Sequence, residues 1–296
     1  MIENNLNESV NEFISNLSAI KRVSNNTIIS YKNDLQQFFQ LLVERKITEL
    51  NSISEKTIRL FILKLNEQNY SRTSISRKLS VLRGFFNFLI QNEKFKSNPL
   101  ENIQNPKIQR KLPEIITLDS YLKILKFLDE EQKDNRNNKL IFELLYGCAL
   151  RVSELCNLNF GDVDLNRKSI RVFGKGSKTR LVPLGQKSQV ILEDYLSSRP
   201  QLKISDPLIL TQSKKRIYPK YVDRLVKTYF SKVSDISKKS PHILRHSAAT
   251  HMLDNGADLL GVKELLGHEN LSTTQIYTHV SVERLKQAYK NAHPKS

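Results

Sequence analysis

Apolar residues recur at helical spacing through the N-terminal third of the chain. Four such stretches, separated by short polar joints, cover residues 11–17, 27–43, 54–68 and 71–93. Each predicts an amphipathic helix, because apolar side chains three or four residues apart share one helix face. Ser54 and Ser71 stand where helix N-caps are expected. The pattern therefore predicts a small four-helix bundle.

The segment from Asn102 to Pro113 lacks this periodicity. It contains two prolines and several basic residues, a composition typical of an extended linker. We therefore predict an N-terminal helical domain over residues 1–105, a linker over 106–113 and a second domain over 114–296.

The second domain is predicted to be mostly helical, with one change of period. Thr117 is a candidate helix cap, and a further helix is predicted to close at Gly161. Residues 168–184 alternate around a glycine-rich turn instead, with Ile170 and Val172 on one arm and Leu181 on the other. This alternation predicts a β-hairpin, so the fold class is mainly α with a small antiparallel β-sheet.

Charge points to a polyanionic partner. The chain has 296 residues, with 47 basic against 30 acidic side chains and a formal net charge of +17. Such a balance favours nucleic acid over a membrane surface. No apolar run is long enough for a membrane span and no signal peptide is evident, so we expect a cytoplasmic protein. Cys148 and Cys156 match no disulfide framework and are expected to be buried thiols.

Basic residues surround the apolar stripe of the last N-terminal helix. We predict that these four side chains contact DNA phosphates: Arg72, Arg77, Lys78 and Arg83. The alternative is a basic helix face that is merely solvated.

His242 and Arg245 lie three residues apart behind Pro241, so they share a face near the start of a predicted helix. A helix start that carries these side chains is a natural anion site. A zinc site on His242 and His246 is disfavoured, because no third ligand stands at a usual spacing. Lys175 lies at the hairpin tip, where it can reach into a groove, and the phosphate-loop pattern is absent around it.

A histidine and a tyrosine stand nine residues apart near the C-terminus. Gly267 indicates a helix stop just before His268, and Ser272 with Gln275 indicates a capping box that starts the next helix. Tyr277 is thereby predicted on the second turn of a short helix of its own.

Four segments of the chain together resemble the tyrosine site-specific recombinases: GCALRVSEL, FGKGSKTRLVPL, PHILRHSAATHML and LLGHENLSTTQIYTHV. The resemblance extends over essentially the whole chain, since the N-terminal bundle is similar to the SAM-like core-binding domain of that family. Within the family the likeness is greatest to the Xer-type recombinases that resolve chromosome dimers at cell division.

The resemblance implies a set of catalytic residues, none of which is substituted here. It assigns Arg151 and Arg245 as catalytic arginines with Glu154 as a supporting carboxylate. The remaining catalytic positions are the hairpin lysine, two histidines and the nucleophile: Lys175, His242, His268 and Tyr277. The tail from Ser281 to Ser296 is similar to the terminal helix that family members pack onto a neighbouring protomer.

The implied reaction joins DNA to the enzyme through a 3′-phosphotyrosyl bond and proceeds through a Holliday junction. Two guanidiniums would stabilise the phosphate charge that develops during attack. Lys175 would protonate the leaving 5′-oxygen, and either His242 or His268 would assist Tyr277 or hold the phosphate. No ATP is expected, because the covalent link conserves the bond energy. No metal or other cofactor is expected either, because the tyrosine oxygen itself serves as the nucleophile.

The expected partner is double-stranded DNA, bound by four protomers on two recombination sites. A second related recombinase and an activating DNA translocase are further expected partners, and no membrane contact is expected. The alternatives are an integrase of a phage or mobile element with the same chemistry, a type IB topoisomerase, and a DNA-binding clamp protein without catalysis.

Overall fold

The computed structural model describes residues 2–21, 23, 25–108, 114–131, 134–174, 179–233 and 236–267. The chain divides into two compact units, Met1–Lys111 and Leu112–Ser296. Each unit encloses a hydrophobic core of its own.

The first unit is the predicted four-helix bundle. Its helices are α1 (Ile2–Lys21), α2 (Asn25–Glu44), α3 (Glu55–Glu67) and α4 (Arg72–Gln91). The predicted caps are confirmed, because Ser54 and Thr57 form a capping box and the Ser71 side chain accepts from the backbone N–H of Ser74. Edge-to-face phenylalanines fill the centre, with Phe38 at 5.2 Å from Phe61 and 6.2 Å from Phe86 between ring centroids.

The second unit is mainly helical, as predicted. Its helices are α5 (Leu118–Glu130), α6 (Arg136–Tyr146), α7 (Val152–Asn157), α8 (Gln186–Ser197), α9 (Pro219–Val233), α10 (Pro241–Asp254) and α11 (Leu259–Leu266). Thr117 caps α5, since its side chain accepts from the backbone N–H of Ser120 at 3.2 Å. Every residue of α6 from Leu140 to Tyr146 is buried, so this helix lies at the centre of the unit.

The predicted hairpin is confirmed as part of a three-stranded antiparallel sheet. Its strands are β1 (Val163–Asp164), β2 (Ser169–Phe173) and β3 (Thr179–Pro183), in the order β1-β2-β3. The register pairs Ile170 with Val182 and Val172 with Arg180. Because side chains alternate across a strand, these four share one face of the sheet, and Ile170, Val172 and Val182 are fully buried there.

One helix boundary differs from the prediction. Helix α7 ends at Asn157 rather than Gly161, and a 3₁₀ turn over Phe160–Asp162 leads into β1. Gly161 is required where it stands, because a Cβ atom there would lie 2.2 Å from a side-chain carbon of Ile204.

Both cysteines are free and buried, as expected. Burial raises the pKa of the Cys156 thiol to about 11, against the opposing charge of Arg216. Among the residues that the structure describes, no helix is long and apolar enough to cross a membrane.

Candidate active site

The turn between α6 and α7 places the first arginine of the site. Gly147 closes α6 where a Cβ atom would lie 2.1 Å from the carboxylate of Glu143, so no larger residue fits there. That buried carboxylate accepts hydrogen bonds from Tyr121 (3.0 Å) and Ser188 (2.7 Å), which fix the turn from inside. Ala149 then adopts a left-handed φ of 48° and turns the chain into Arg151.

Arg151 caps α7 together with Glu154. The Glu154 carboxylate accepts from the backbone N–H of Arg151 at 2.8 Å and from its guanidinium at 2.7 Å. A carboxylate in the first turn of a helix is also favoured by the helix dipole. The i, i+3 spacing of the two residues therefore produces a rigid local pair.

A second arginine, which the sequence analysis did not assign to the site, forks onto the same carboxylate. The two terminal nitrogens of Arg180 donate to the two oxygens of Glu154 at 2.7 and 2.8 Å. A signal for this contact was present in the strand pattern. Arg180 stands two residues before the buried Val182, so alternation directs both toward the covered face of the sheet. An arginine at such a position requires a buried acceptor.

Arg245 is the third and most buried arginine, with 8% of its side chain exposed against 31% for Arg151. Helix α10 carries it inward, and its guanidinium donates to the carbonyl oxygens of Ala149 and Leu266. It also lies 3.6 Å from the Glu154 carboxylate. We call Arg151, Glu154, Arg180 and Arg245 together the arginine cluster.

The C-terminal end of α11 closes the cluster. Three successive carbonyl oxygens each accept from a different arginine: Leu265 from Arg180, Leu266 from Arg245 and Gly267 from Arg151. The last carbonyls of a helix have no partner within it and carry its negative dipole end, so they favour cations. Gly267 ends the helix in the left-handed conformation (φ 59°), as predicted from the sequence.

The charges of the cluster do not cancel. Three guanidiniums surround one carboxylate, which leaves an excess of two positive charges at a largely buried place. Burial raises the pKa of Glu154, but hydrogen bonds from Arg180 and Arg151 outweigh it and hold that pKa at about 2. Burial and the neighbouring Arg151 and Arg180 lower the pKa of Arg245 to about 9, so it is still charged at neutral pH. Such an excess of forked donors suits a phosphate.

His242 lies near the N-terminus of α10 and is exposed, one helical turn before Arg245. Three other predicted site residues, Lys175, His268 and Tyr277, lie outside the described residues, as does the predicted terminal helix. Position 267 immediately precedes His268, and residue 174 immediately precedes Lys175. Within the described part of the chain, no group of three or more histidine, cysteine or acidic side chains is arranged to hold a metal ion.

The four basic side chains of α4 differ in whether they are bonded to acceptors of the protein itself. Arg72 is exposed, whereas Lys78 is buried and donates to Asp34 at 2.7 Å and to Gln37 at 2.6 Å. Arg77 is half-exposed but paired with Asp34, and Arg83 donates to the carbonyl of Ile103 at 2.8 Å. The structure thus corrects the prediction for Lys78, because a buried ion pair removes its charge from the helix surface.

Comparison with known proteins identifies the class. Residues 114–284 match the family model described as "Phage integrase family", and residues 10–93 match "Phage integrase, N-terminal SAM-like domain". Tyrosine recombinase XerC of Thermodesulfovibrio yellowstonii is 39% identical over 97% of this chain and 96% of that relative. Tyrosine recombinase XerD of Oceanobacillus iheyensis is 38% identical over 98% of this chain and 100% of that relative.

Solved structures show the same fold at lower identity. A lambda integrase dimer bound to a COC′ core site has a TM-score of 0.71 at 18% identity, covering 93% of this chain and 99% of that one. The Tn1549 transposon integrase in complex with circular intermediate DNA has a TM-score of 0.70 at 19% identity, covering 94% and 98%.

The chain therefore belongs to the phage integrase family, the tyrosine recombinases, whose members cleave and rejoin DNA. The predicted fold class, an N-terminal SAM-like bundle followed by a mostly helical catalytic domain with a small sheet, is confirmed.

Proposed function

We propose that this protein is a site-specific recombinase whose arginine cluster binds the scissile phosphate of DNA. The main support for this proposal is the excess of two positive charges that Arg151, Arg180 and Arg245 produce around Glu154. A phosphodiester brings one negative charge and two non-bridging oxygens to such a place. The net charge of +17 supports DNA as the substrate.

Arg151 and Arg245 are proposed to clamp the phosphate. Each guanidinium uses two of its five N–H donors on described acceptors, Arg151 on Glu154 and Gly267 and Arg245 on Ala149 and Leu266, so donors remain for the substrate. In-line attack places developing negative charge on the non-bridging oxygens, and forked guanidiniums stabilise that charge.

Tyr277 is proposed as the nucleophile that forms a 3′-phosphotyrosyl bond to the cleaved strand. A free tyrosine has a pKa of about 10, so it needs a neighbouring base or a cationic field at neutral pH. The excess charge of the arginine cluster supplies the field, and His242 or His268 supplies the base or a further phosphate contact. Lys175 is proposed to protonate the leaving 5′-oxygen, a role typically worth about 10²- to 10⁴-fold.

At the level of assembly, we propose that four protomers act on two DNA sites and exchange strands through a Holliday junction. Resolution of chromosome dimers in the cytoplasm is the proposed role, supported by relatives named XerC and XerD along nearly the whole chain. Action with a second recombinase or a DNA translocase belongs to the same proposal. The chain is about equally similar to a relative named XerC (39% identity) and to one named XerD (38%), so similarity does not assign it to one member of a pair. The first test therefore uses the protein alone.

The test is a nicked suicide duplex made from candidate chromosomal sites, on which cleavage releases a short fragment and traps the enzyme. Wild-type protein is expected to form a covalent protein–DNA adduct that survives denaturing electrophoresis without added metal or ATP. Tyr277→Phe should bind the same duplex and form no adduct. DNA binding by the wild type without adducts on any site would instead indicate a non-catalytic clamp protein. An adduct confined to the ends of a mobile element would favour an integrase.

A further inference from the structure

Arg180 joins three elements of the catalytic unit through one guanidinium. It extends from β3, forks onto Glu154 of α7 and donates from Nε to the carbonyl of Leu265 in α11 at 2.9 Å. We propose that Arg180 is a positioning residue for DNA cleavage, which aligns Arg151 through Glu154 and fixes the end of α11. This inference rests on the proposed function and adds to it a residue that does not itself contact the phosphate.

The alignment of Arg151 follows from how Glu154 is shared. Its Oε1 atom accepts from Arg151 and from Arg180, each at 2.7 Å, and its Oε2 atom accepts from the Arg151 backbone and from Arg180, each at 2.8 Å. Both oxygens are therefore fixed from two sides. Without Arg180 each carboxylate oxygen keeps a single hydrogen bond, to the Arg151 backbone or guanidinium, beside the longer 3.6 Å approach of Arg245. The carboxylate is then held less firmly, and the Arg151 guanidinium that it orients is held less firmly with it.

The contact to α11 concerns the nucleophile. Arg180 holds the carbonyl of Leu265, and the next two carbonyls are held by Arg245 and Arg151. The chain leaves this anchored end toward His268 and Tyr277. Arg180 thus helps to set the point from which the segment that carries the nucleophile departs.

Only an arginine can make this set of contacts. The guanidinium offers a fork for the carboxylate and a separate Nε donor for the carbonyl, whereas a lysine ammonium is a single point of charge. All three nitrogens of the Arg180 guanidinium donate to acceptors of the protein itself, two to Glu154 and one to Leu265, so the whole group is engaged in structural contacts. Its place in the cluster is that of a support.

Arg171 is a matched control on the neighbouring strand. It also pairs with a buried carboxylate, because its Nε and one terminal nitrogen both donate to the Oδ1 atom of Asp162, at 3.2 and 3.0 Å. It points to the opposite face of the sheet, since Arg180 pairs with Val172 and Arg171 pairs with Leu181. Arg171→Gln therefore removes an arginine–carboxylate pair of the same type outside the arginine cluster.

The experiment measures single-turnover cleavage of the nicked suicide duplex by the full chain, with DNA affinity measured separately. Arg180→Gln and Arg180→Lys are expected to lower the cleavage rate constant about 10²-fold, the scale of a misplacement near 1 Å, with DNA affinity changed less than about threefold. Arg171→Gln should cleave within about twofold of wild type.

The rate constant and the amplitude of cleavage together distinguish a positioning defect from a folding defect. Loss of folded protein lowers the amplitude of the cleavage reaction and leaves the rate constant of the remaining active molecules unchanged. A positioning role lowers the rate constant itself, in Arg180→Lys as well as in Arg180→Gln. Wild-type rate constants in both variants overturn the inference.

Two further measurements test whether Arg180 acts through Glu154 and whether it acts on the leaving group. If Arg180 acts through Glu154, Arg180→Gln should slow the Glu154→Gln variant far less than it slows wild type. DNA with sulfur at the scissile 5′ position has a leaving group that needs no acid, so it should rescue Lys175→Ala and leave Arg180→Gln slow. Rescue of Arg180→Gln by this DNA, or additive effects with Glu154→Gln, would show that Arg180 does not act as proposed. Absence of adducts with the wild type refutes the proposed function instead.

Discussion

The Glu154 carboxylate contacts Arg151 twice, at 2.8 Å through the backbone N–H and at 2.7 Å through the guanidinium. The same carboxylate is the only anion that faces three guanidiniums in the described part of the site. Glu154 is therefore expected to contribute both to the stability of the catalytic unit and to the alignment of the arginines for DNA cleavage. Unfolding and cleavage experiments measure the two contributions separately.

Replacing Glu154 by Gln should destabilise the catalytic unit strongly. The amide keeps the shape of the side chain but leaves three guanidiniums, one buried and two partly buried, without a counter-charge. Removing one partner of a buried ion pair typically costs about 3–5 kcal/mol. Urea unfolding followed by circular dichroism measures the loss, with the two units fitted as separate transitions. Asp162→Asn is the control, because the half-exposed Arg171 is the one cationic partner of Asp162 among the described residues. An equal loss in both variants would show that Glu154 stabilises the unit no more than an ordinary arginine–carboxylate pair does.

Acid should weaken the same contacts. The folded-state pKa of Glu154 is held at about 2, below its usual value of 4.5. A depressed pKa stabilises the fold fully above the unfolded-state pKa, and this contribution is lost as the pH falls from about 4.5 through 2. Unfolding midpoints measured down this range should fall more steeply for wild type than for Glu154→Gln. Glu131→Gln should remove a smaller part, since Glu131, whose pKa Lys232 and Tyr229 lower to about 2, is one-third exposed.

Lys78 and Arg77 should differ sharply in their effect on the N-terminal bundle, although both pair with Asp34. The Lys78 side chain is 5% exposed, whereas that of Arg77 is 47% exposed. Lys78→Met should cost about 3 kcal/mol, as expected for a buried pair, and Arg77→Met at most about 1 kcal/mol. Thermal unfolding of the full chain, with the first unit's transition resolved, gives both values. Similar losses for the two variants would show that burial does not decide the strength of this pair.

DNA binding should weaken steeply with salt. The loss of a single phosphate contact should be detectable as a change in the slope of log K against log salt. Each phosphate that the protein neutralises contributes about −0.9 to the slope of log K against log salt. Arg72→Gln removes an exposed charge at the start of α4 and should make the slope shallower by about 0.9. Lys78→Met should leave the slope unchanged, because its charge is already paired inside the bundle. Fluorescence anisotropy titrations at several salt concentrations measure both.

Much of the fold followed from periodicity. Helical spacing predicted the four helices of the first unit, and strand alternation predicted β2 and β3. The two-residue strand β1 is too short to show a period, and Phe160–Asp162 form a 3₁₀ turn that continues the apparent helix of α7. Periodicity identifies regular elements with many repeats and fails where an element holds only two or three residues.

The prediction for Lys78 relied on its residue type, which suggested an exposed charge, whereas its spacing along the helix indicates a buried position. Lys78 stands three residues after Ile75 and four before Leu82, which are both buried, so helical geometry places it on the covered face. Arg180 presents the same signal in strand form. Its partner Glu154, however, lies 26 residues away and in another element, so no local pattern names it.

If Tyr277 is the nucleophile at the arginine cluster, it becomes covalently linked to DNA, and mass spectrometry of the trapped adduct detects that link directly. After digestion of the adduct with protease and nuclease, we expect one nucleotide-bearing peptide, from the segment that contains Tyr277, with the phosphate on the tyrosine oxygen. Linkage to another tyrosine, such as the partly exposed Tyr218, or to a serine would contradict it.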